Sequence, residues 1–366
     1  MTASNLVTGA LTCLMAVVLT LCVLIVGIRG ARSLRERKRE RIAAPVRPLL
    51  LELLCADDTE QNEPLMRLAE IDRRTWAALE PTLAEMLGKI SGGARTALVR
   101  LYRMRGATDE AVAALDSHSA ARRGRAAQVI GQLAYRPAVP RLCQLLADRD
   151  PEVRLAAGRA LGRMGDPEAV PALLECLYGS RTVPPGTVTK ALISLGPEAL
   201  RNIAAGLEHP QPIVRSVTTE VLGATGAVSR TAEIARALRE DPSLEVRIKA
   251  ARALGRLGMP DGLEPLIAAV GPAQPTALRI VGAGALGTLG AVAGTTPLAK
   301  LLGDQNPHVA ATAARALLRL GPPGEAALRG IADKDPGTRA AAQARAALDE
   351  AAVGGARLDV RVEVAL

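Results

Sequence analysis

Apolar positions along most of this chain recur at helical spacing, in blocks that repeat about every 31 residues. In the clearest block Val153, Ala156, Ala157, Ala160, Leu161 and Met164 fall on one side of a helix, and charged residues fall on the other. Asp150-Pro151 supplies an N-cap and a first-turn proline, and Gly165 suits the left-handed conformation that ends a helix. A second amphipathic helix is predicted over residues 167–177. First helices of such pairs are predicted to begin near residues 93, 120, 151, 184, 212, 244, 275, 307 and 336. That makes about nine stacked hairpins with degenerate ends, as expected where a repeat caps a stack.

Two other patterns frame the repeats. Residues 6–28 carry no charge over 23 positions. As a helix they would span about 34 Å, enough for a hydrocarbon core of about 30 Å. Only the terminal amine precedes them, no small-x-small site follows, and Leu21 stands where a lipoprotein site before Cys22 needs a small residue. A retained transmembrane helix is therefore predicted. At the other end, residues 358–364 (Leu-Asp-Val-Arg-Val-Glu-Val) alternate as a strand does, without a mate elsewhere in the chain. Disorder, folding on the last repeat, and adding an edge to a partner's sheet are all open for this tail. The expected organisation is an anchor at 1–28, a basic juxtamembrane segment at 29–47, a helical cap region at 48–85, the repeat array at 86–352 and the tail at 353–366. Within the cap region a helix is predicted over residues 49–54, and residues 57–63 read as an acidic loop.

The repeats stay in phase over three columns. Gly131, Gly162, Ile193, Gly223, Gly255, Gly287 and Leu318 are 30 to 32 residues apart. Eight residues before them stand Arg123, Arg154, Pro185, Arg215, Arg247, Arg279 and Ala310. Three residues after them stand Ala134, Gly165, Gly196, Gly226, Gly258, Gly290 and Gly321. Asp-x-x-Pro-x-Val-Arg followed by Ala-Leu-Gly-x-Leu-Gly resembles the HEAT repeats of the bacterial, phycobilisome-lyase-like type. Residues 148–165 and 241–258 match well. Residues 304–321 depart at Ala310 and Leu318, and residues 181–196 at Pro184-Pro185. The resemblance covers roughly residues 80–350 and implies an all-α fold, an α-solenoid superhelix lined on its concave side by the Val-Arg helices. The plan of one anchor plus an array is also similar to actinobacterial membrane HEAT proteins, which implies a membrane glycosyltransferase as a client.

Charge refines the picture. The net charge is +9, but residues 29–47 hold eight basic and two acidic residues. Arg29, Arg32, Arg35, Arg37, Lys38, Arg39 and Arg41 sit just after the apolar run. By the positive-inside rule they place the amino terminus outside and the array in the cytoplasm. They either serve as a topology signal only or also hold anionic lipid. The rest of the chain is nearly balanced, so the high pI does not mark a nucleic-acid-binding domain. Phe is absent and aromatics make up 1% of residues, which removes the stacking platform that single strands need. The five cysteines form no Cys-x-x-Cys pair and read as reduced structural residues, Cys143 and Cys176 among them.

Two sets of side chains are candidates for function. Arg123, Arg154, Arg215, Arg247 and Arg279 are expected to be structural, pairing with Asp residues such as Asp148, Asp150 and Asp241 in their own or the next loop. Arg159 with Arg163, Arg252 with Arg256, and Arg315 with Arg319 are i,i+4 pairs opposite the apolar faces, joined by Lys190. If that face is concave it forms a basic groove for acidic protein segments, phosphate or lipid head groups. The alternative is solvated charge that complements helix C-terminal dipoles. Glu220, Ala224, Gly284 and Thr288 interrupt the stripe, against a continuous nucleic-acid track.

Catalysis finds little support. His118, His209 and His308 are far apart, no His-Glu pair exists, and Gly282-Ala-Gly-Ala-Leu-Gly287 is in register with the repeat motif rather than after a strand. No catalytic, metal or cofactor residues are assigned. The expectation is a single-pass membrane scaffold, not an enzyme, that binds protein partners such as a membrane enzyme. A HEAT-like lyase or hydroxylase and an anionic lipid or phosphate sensor are the alternatives.

Overall fold

The computed structural model describes the backbone of residues 3–57 and 60–363, with side chains left out chiefly before residue 15, at scattered positions to residue 35, and after residue 353. Every element is helical among the described residues. The chain divides into two compact units, residues 1–113 and 114–366.

Unit 1 holds α1 (Ala3–Ala43), α2 (Arg47–Cys55), α3 (Asn62–Ala69), α4 (Arg73–Leu87), α5 (Gly92–Met104) and α6 (Ala107–Ala114). Its core is leucine: Leu50, Leu53, Leu65, Leu68, Leu79, Leu83, Leu98 and Leu101 are buried. The two aromatic residues of this unit meet there. Trp76 stands edge-on to Tyr102, centroids 5.3 Å apart, and the Arg105 guanidinium lies 5.0 Å over the Trp76 ring. Arg105 also donates to the carbonyls of Ala69 and Ile71, so one side chain ties the end of α3 to α4 and α5.

The apolar run at residues 6–28 lies within the backbone helix α1. Many of its side chains, including all those before residue 15, lie outside the description. Among the described residues no helix is long and apolar enough to cross a membrane.

Unit 2 is a series of hairpins. The first helices are α7 (Ala120–Leu133), α9 (Pro151–Met164), α11 (Pro185–Ser194), α13 (Pro212–Ala224), α15 (Leu244–Leu257), α17 (Thr276–Leu289) and α19 (Pro307–Arg319). The second helices between them are α8 (Val139–Leu145), α10 (Val170–Glu175), α12 (Leu200–Ala204), α14 (Thr231–Glu240), α16 (Leu263–Ala269) and α18 (Thr295–Leu301), followed by α20 (Pro322–Lys334). Each of α8, α10, α12, α14, α16 and α18 is entered through a 3₁₀ turn, as at Pro167–Ala169 before α10. There a proline lacking its N–H costs nothing. Successive first helices pack on one another, the arrangement of an α-solenoid.

The Ala-Leu-Gly motif explains this stacking. A Cβ placed on Gly131 would lie 2.6 Å from Ala160 Cα, and one on Gly162 would lie 2.7 Å from Ala191 Cα. Gly223 faces Ala253, Gly255 faces Ala285 and Gly287 faces Ala316 in the same way. In these five seams the Ala of one motif therefore fills the Gly notch of the helix before it, and the Leu after that Ala points into the hairpin core. Backbones touch backbones, which is why the array needs no aromatic bulk.

The carboxyl end corrects one expectation. The alternation at residues 358–364 does not make a strand: α21 (Arg339–Glu363) continues as a helix through most of it. A strand's backbone groups need a mate, and no strand exists among the described residues to supply one. The Ala-rich turns before it satisfy those groups locally by propagating the helix.

Candidate functional site

The loops between repeats are held by the arginine column. Arg123 on α7 donates from Nε and Nη2 to the two oxygens of Asp148, each at 2.8 Å. Its Nη1 reaches the Ser117 and His118 carbonyls of its own loop. Arg215 does the same with Asp241 and the His209 and Pro210 carbonyls, and Arg279 with Asp304 and the Gln274 carbonyl. In each case the aspartate also accepts the backbone N–H two residues on, at Asp150, Ser243 and Asn306. One fork thus fixes its own loop and the start of the next first helix.

Burial alone would push these carboxyls up. The arginine forks, the backbone N–H bonds and neighbouring positive charge outweigh it, and hold Asp148, Asp241 and Asp304 below the usual carboxylate value.

The column is not uniform. Arg154 finds no carboxylate and donates to the Thr182, Asp148 and Arg149 carbonyls. Arg247 reaches the Gln274 amide oxygen at 3.4 Å and leaves a buried Nε without a partner. Asp304 and Gln274 were not anticipated from sequence. Their signal is a spacing of 25 to 27 residues after the arginine.

A second set of side chains faces solvent. Arg159 and Arg163 on α9, Lys190 on α11, Arg252 and Arg256 on α15, and Arg315 and Arg319 on α19 are all exposed. The helices hold them on one side because their opposite sides are occupied by the Gly–Ala seams and the leucine core. Among the described residues none of the three pairs has a carboxylate partner. Arg315 Nε makes only a 3.3 Å bond to the Ala311 carbonyl, within its own helix. On α13 the stripe is interrupted by Glu220, whose carboxylate accepts from Lys249 of α15 at 2.7 Å. That ion pair also went unread in the sequence.

The remaining candidates fall apart spatially or chemically. Among the described residues no three His, Cys, Asp or Glu side chains converge on a point that could hold a metal. Cys143 and Cys176 line one recess of about 480 Å³ with Tyr178 and Arg181. Burial pushes both thiols up, Cys176 to about 12, so neither is a thiolate at neutral pH. In unit 1, Arg29, Arg37, Lys38, Arg39 and Arg41 are exposed, while the side chains of Arg32 and Arg35 lie outside the description.

The stacked hairpins, the Gly–Ala seams and the arginine-held loops agree with a family match. Residues 108–196 and 197–281 match the family model described as HEAT repeats. This stretch is built of HEAT repeats. No curated protein matches the sequence. Solved structures to which the chain is similar include an engineered protein, 19% identical, covering 83% of this chain and 98% of that one, with a TM-score of 0.37. Kap121p is 12% identical, with 84% of this chain and 44% of that one covered and a TM-score of 0.46, so the chain spans less than half of it. The CpcE–CpcF complex of phycocyanin lyase from a Nostoc species is 23% identical, with 79% and 93% covered and a TM-score of 0.27.

Proposed function

We propose that this chain is a membrane-anchored scaffold whose HEAT array binds other proteins on the cytoplasmic face of a membrane, and that it is not an enzyme. One observation carries the reading: exposed arginine pairs recur on first helices α9, α15 and α19, with no carboxylate partner among the described residues. Like charges four residues apart on a helix cost a few tenths of a kcal/mol per pair. A helix C-terminal dipole offsets part of that cost. The remainder is what a surface kept for an acidic partner would carry.

The anchor rests on the 23 uncharged residues at 6–28 and the basic cluster after them. An anchor raises the local concentration of a binding array relative to membrane clients. A membrane enzyme is the client we favour, with a glycosyltransferase as the specific candidate.

The test is capture from native membranes with the full chain, against a control bearing residues 1–47 alone. A membrane enzyme enriched by the full chain and absent from the control supports the scaffold. Equal recovery in both, or release of the full chain into the carbonate-soluble fraction, overturns the corresponding half of the reading.

A further inference from the structure

The helices α15, α17 and α19 form a segment with its own chemistry. Together they contain one carboxylate, Glu245, against Arg247, Lys249, Arg252, Arg256, Arg279, Arg315 and Arg319. Arg279 is spent on Asp304 and Lys249 on Glu220. Arg247 is committed to the Gln274 loop. The two exposed pairs remain: 252/256 on α15 and 315/319 on α19. Between them α17 presents Gly284 and Thr288, uncharged and small. A Cβ on Gly284 would meet nothing closer than Thr312 Cγ2 at 3.8 Å, so the floor between the pairs is open. The amino-terminal border is set by Glu220, a carboxylate already paired across α13 and α15.

The surroundings narrow the occupant. A face that lies on a membrane interleaves its cations with Trp, Phe or Leu. None of the exposed large hydrophobic residues belongs to these three helices. A nucleic-acid track needs aromatic platforms or an unbroken run of cations, and the segment has neither. Discrete guanidinium pairs match carboxylates, which take two N–H donors from one fork. We therefore propose that this face binds an acidic segment of a partner protein, laid across α15, α17 and α19 with carboxylates on both arginine pairs. The proposal rests on the scaffold reading and names its partner's chemistry. Helices packed at about 8–10 Å put the pairs two steps, roughly 16–20 Å, apart. An extended chain at about 3.3 Å per residue covers that distance in about five or six residues. The expected motif is two acidic clusters with that spacing.

The test uses the full chain in detergent and a fluorescein-labelled Gly-Ser peptide carrying two Asp-Asp pairs about six residues apart. Fluorescence anisotropy should show binding that weakens at least tenfold in R252E/R256E and equally in R315E/R319E, with thermal unfolding unchanged. Shortening the spacer to one residue should weaken it as much as losing one pair, and Asn-Asn pairs should abolish it. Arg201→Glu, on α12, should leave it unaltered. Binding untouched by either double variant, or no binding at millimolar peptide, overturns the proposal. So does a double variant that loses only binding to phosphatidylserine vesicles, which would assign the face to lipid. If R252E/R256E still captures the same membrane protein as the wild-type chain, the scaffold stands and this face is not its site.

Discussion

The seam between α15 and α17 and the seam between α11 and α13 are built from the same repeat with both contact positions changed. In the first, Gly255 receives Ala285 and the two backbones touch. In the second, Ile193 occupies the Gly place and is 37% exposed, while Val221 occupies the Ala place. These two first helices pack more loosely than those on either side. The loop before α11 differs too. Pro185 replaces the arginine and Tyr178–Pro184 carries no aspartate, so no arginine–aspartate fork lies on either side of α11, whereas between α15 and α17 Arg247 at least reaches Gln274. Close helix spacing in this array thus depends on a missing Cβ at one repeat position, and an ion pair orders the loops at Arg123, Arg215 and Arg279.

The largest test is to overfill a tight seam. Gly255→Leu places a side chain where Ala285 Cα and the Ala285 carbonyl oxygen stand 2.9 and 3.0 Å from the missing Cβ. Backbone cannot step aside as a side chain can, so the cost should reach about 3 kcal/mol or more. For a unit of this size that lowers Tm by roughly 6–12 °C in calorimetry. Ile193→Leu, in the loose seam, should change Tm by under about 2 °C. Equal losses at the two sites would show that the seams do not differ as described.

The ion pairs give the next effect. Asp241→Ala leaves the Arg215 guanidinium, 12% exposed, without its carboxylate and should cost about 2–3 kcal/mol by urea unfolding. Arg154→Ala removes bonds to three carbonyls but strands no charge, and should cost about 1 kcal/mol. If the order reverses, the fork is not what orders these loops.

Acid should act on the same groups. Asp148, Asp241 and Asp304 have folded values below the unfolded carboxylate value of about 3.9. Their contribution is therefore full above that value and is lost as pH falls through the lower folded values. Asp241→Asn should flatten the acid limb of a stability–pH curve, and a substitution at Arg154, whose charge is the least of the influences lowering Asp148, should flatten it less. An acid limb unchanged in Asp241→Asn would remove the aspartate from the account.

Much of this was open to reading in the chain. The Gly column, the left-handed stop at Gly165 and the starts of the first helices follow from local rules. The partner of each Gly did not, because it lies a repeat away, although the signal was present in Ala160, Ala191, Ala253, Ala285 and Ala316, each two residues before the next aligned position. The same limit hid Glu220 from Lys249, a contact made across 29 residues and outside the repeating columns. The exposed arginine pairs were visible as a helix face, but their lack of carboxylate partners among the described residues is a property of neighbours that only folding assembles. At the tail, period-two alternation was a poor guide because a strand is not a local structure, whereas a helix begun in an Ala-rich segment can run on.

The smallest effect concerns how first helices end. Gly165, Gly258 and Gly290 close α9, α15 and α17 with φ between 65° and 76°, but α7 closes on Ala134 at φ 51°. The left-handed conformation costs an alanine about 1–2 kcal/mol, part of which a glycine would return as entropy of the unfolded chain. Ala134→Gly should therefore stabilise the protein by about 0.5–1 kcal/mol, and Gly258→Ala should destabilise it by a similar amount. The two substitutions are mirror images at one repeat position. Denaturation of both should give shifts of opposite sign. A loss in both would mean that the α7 cap is held by the packing of its methyl group rather than strained by it.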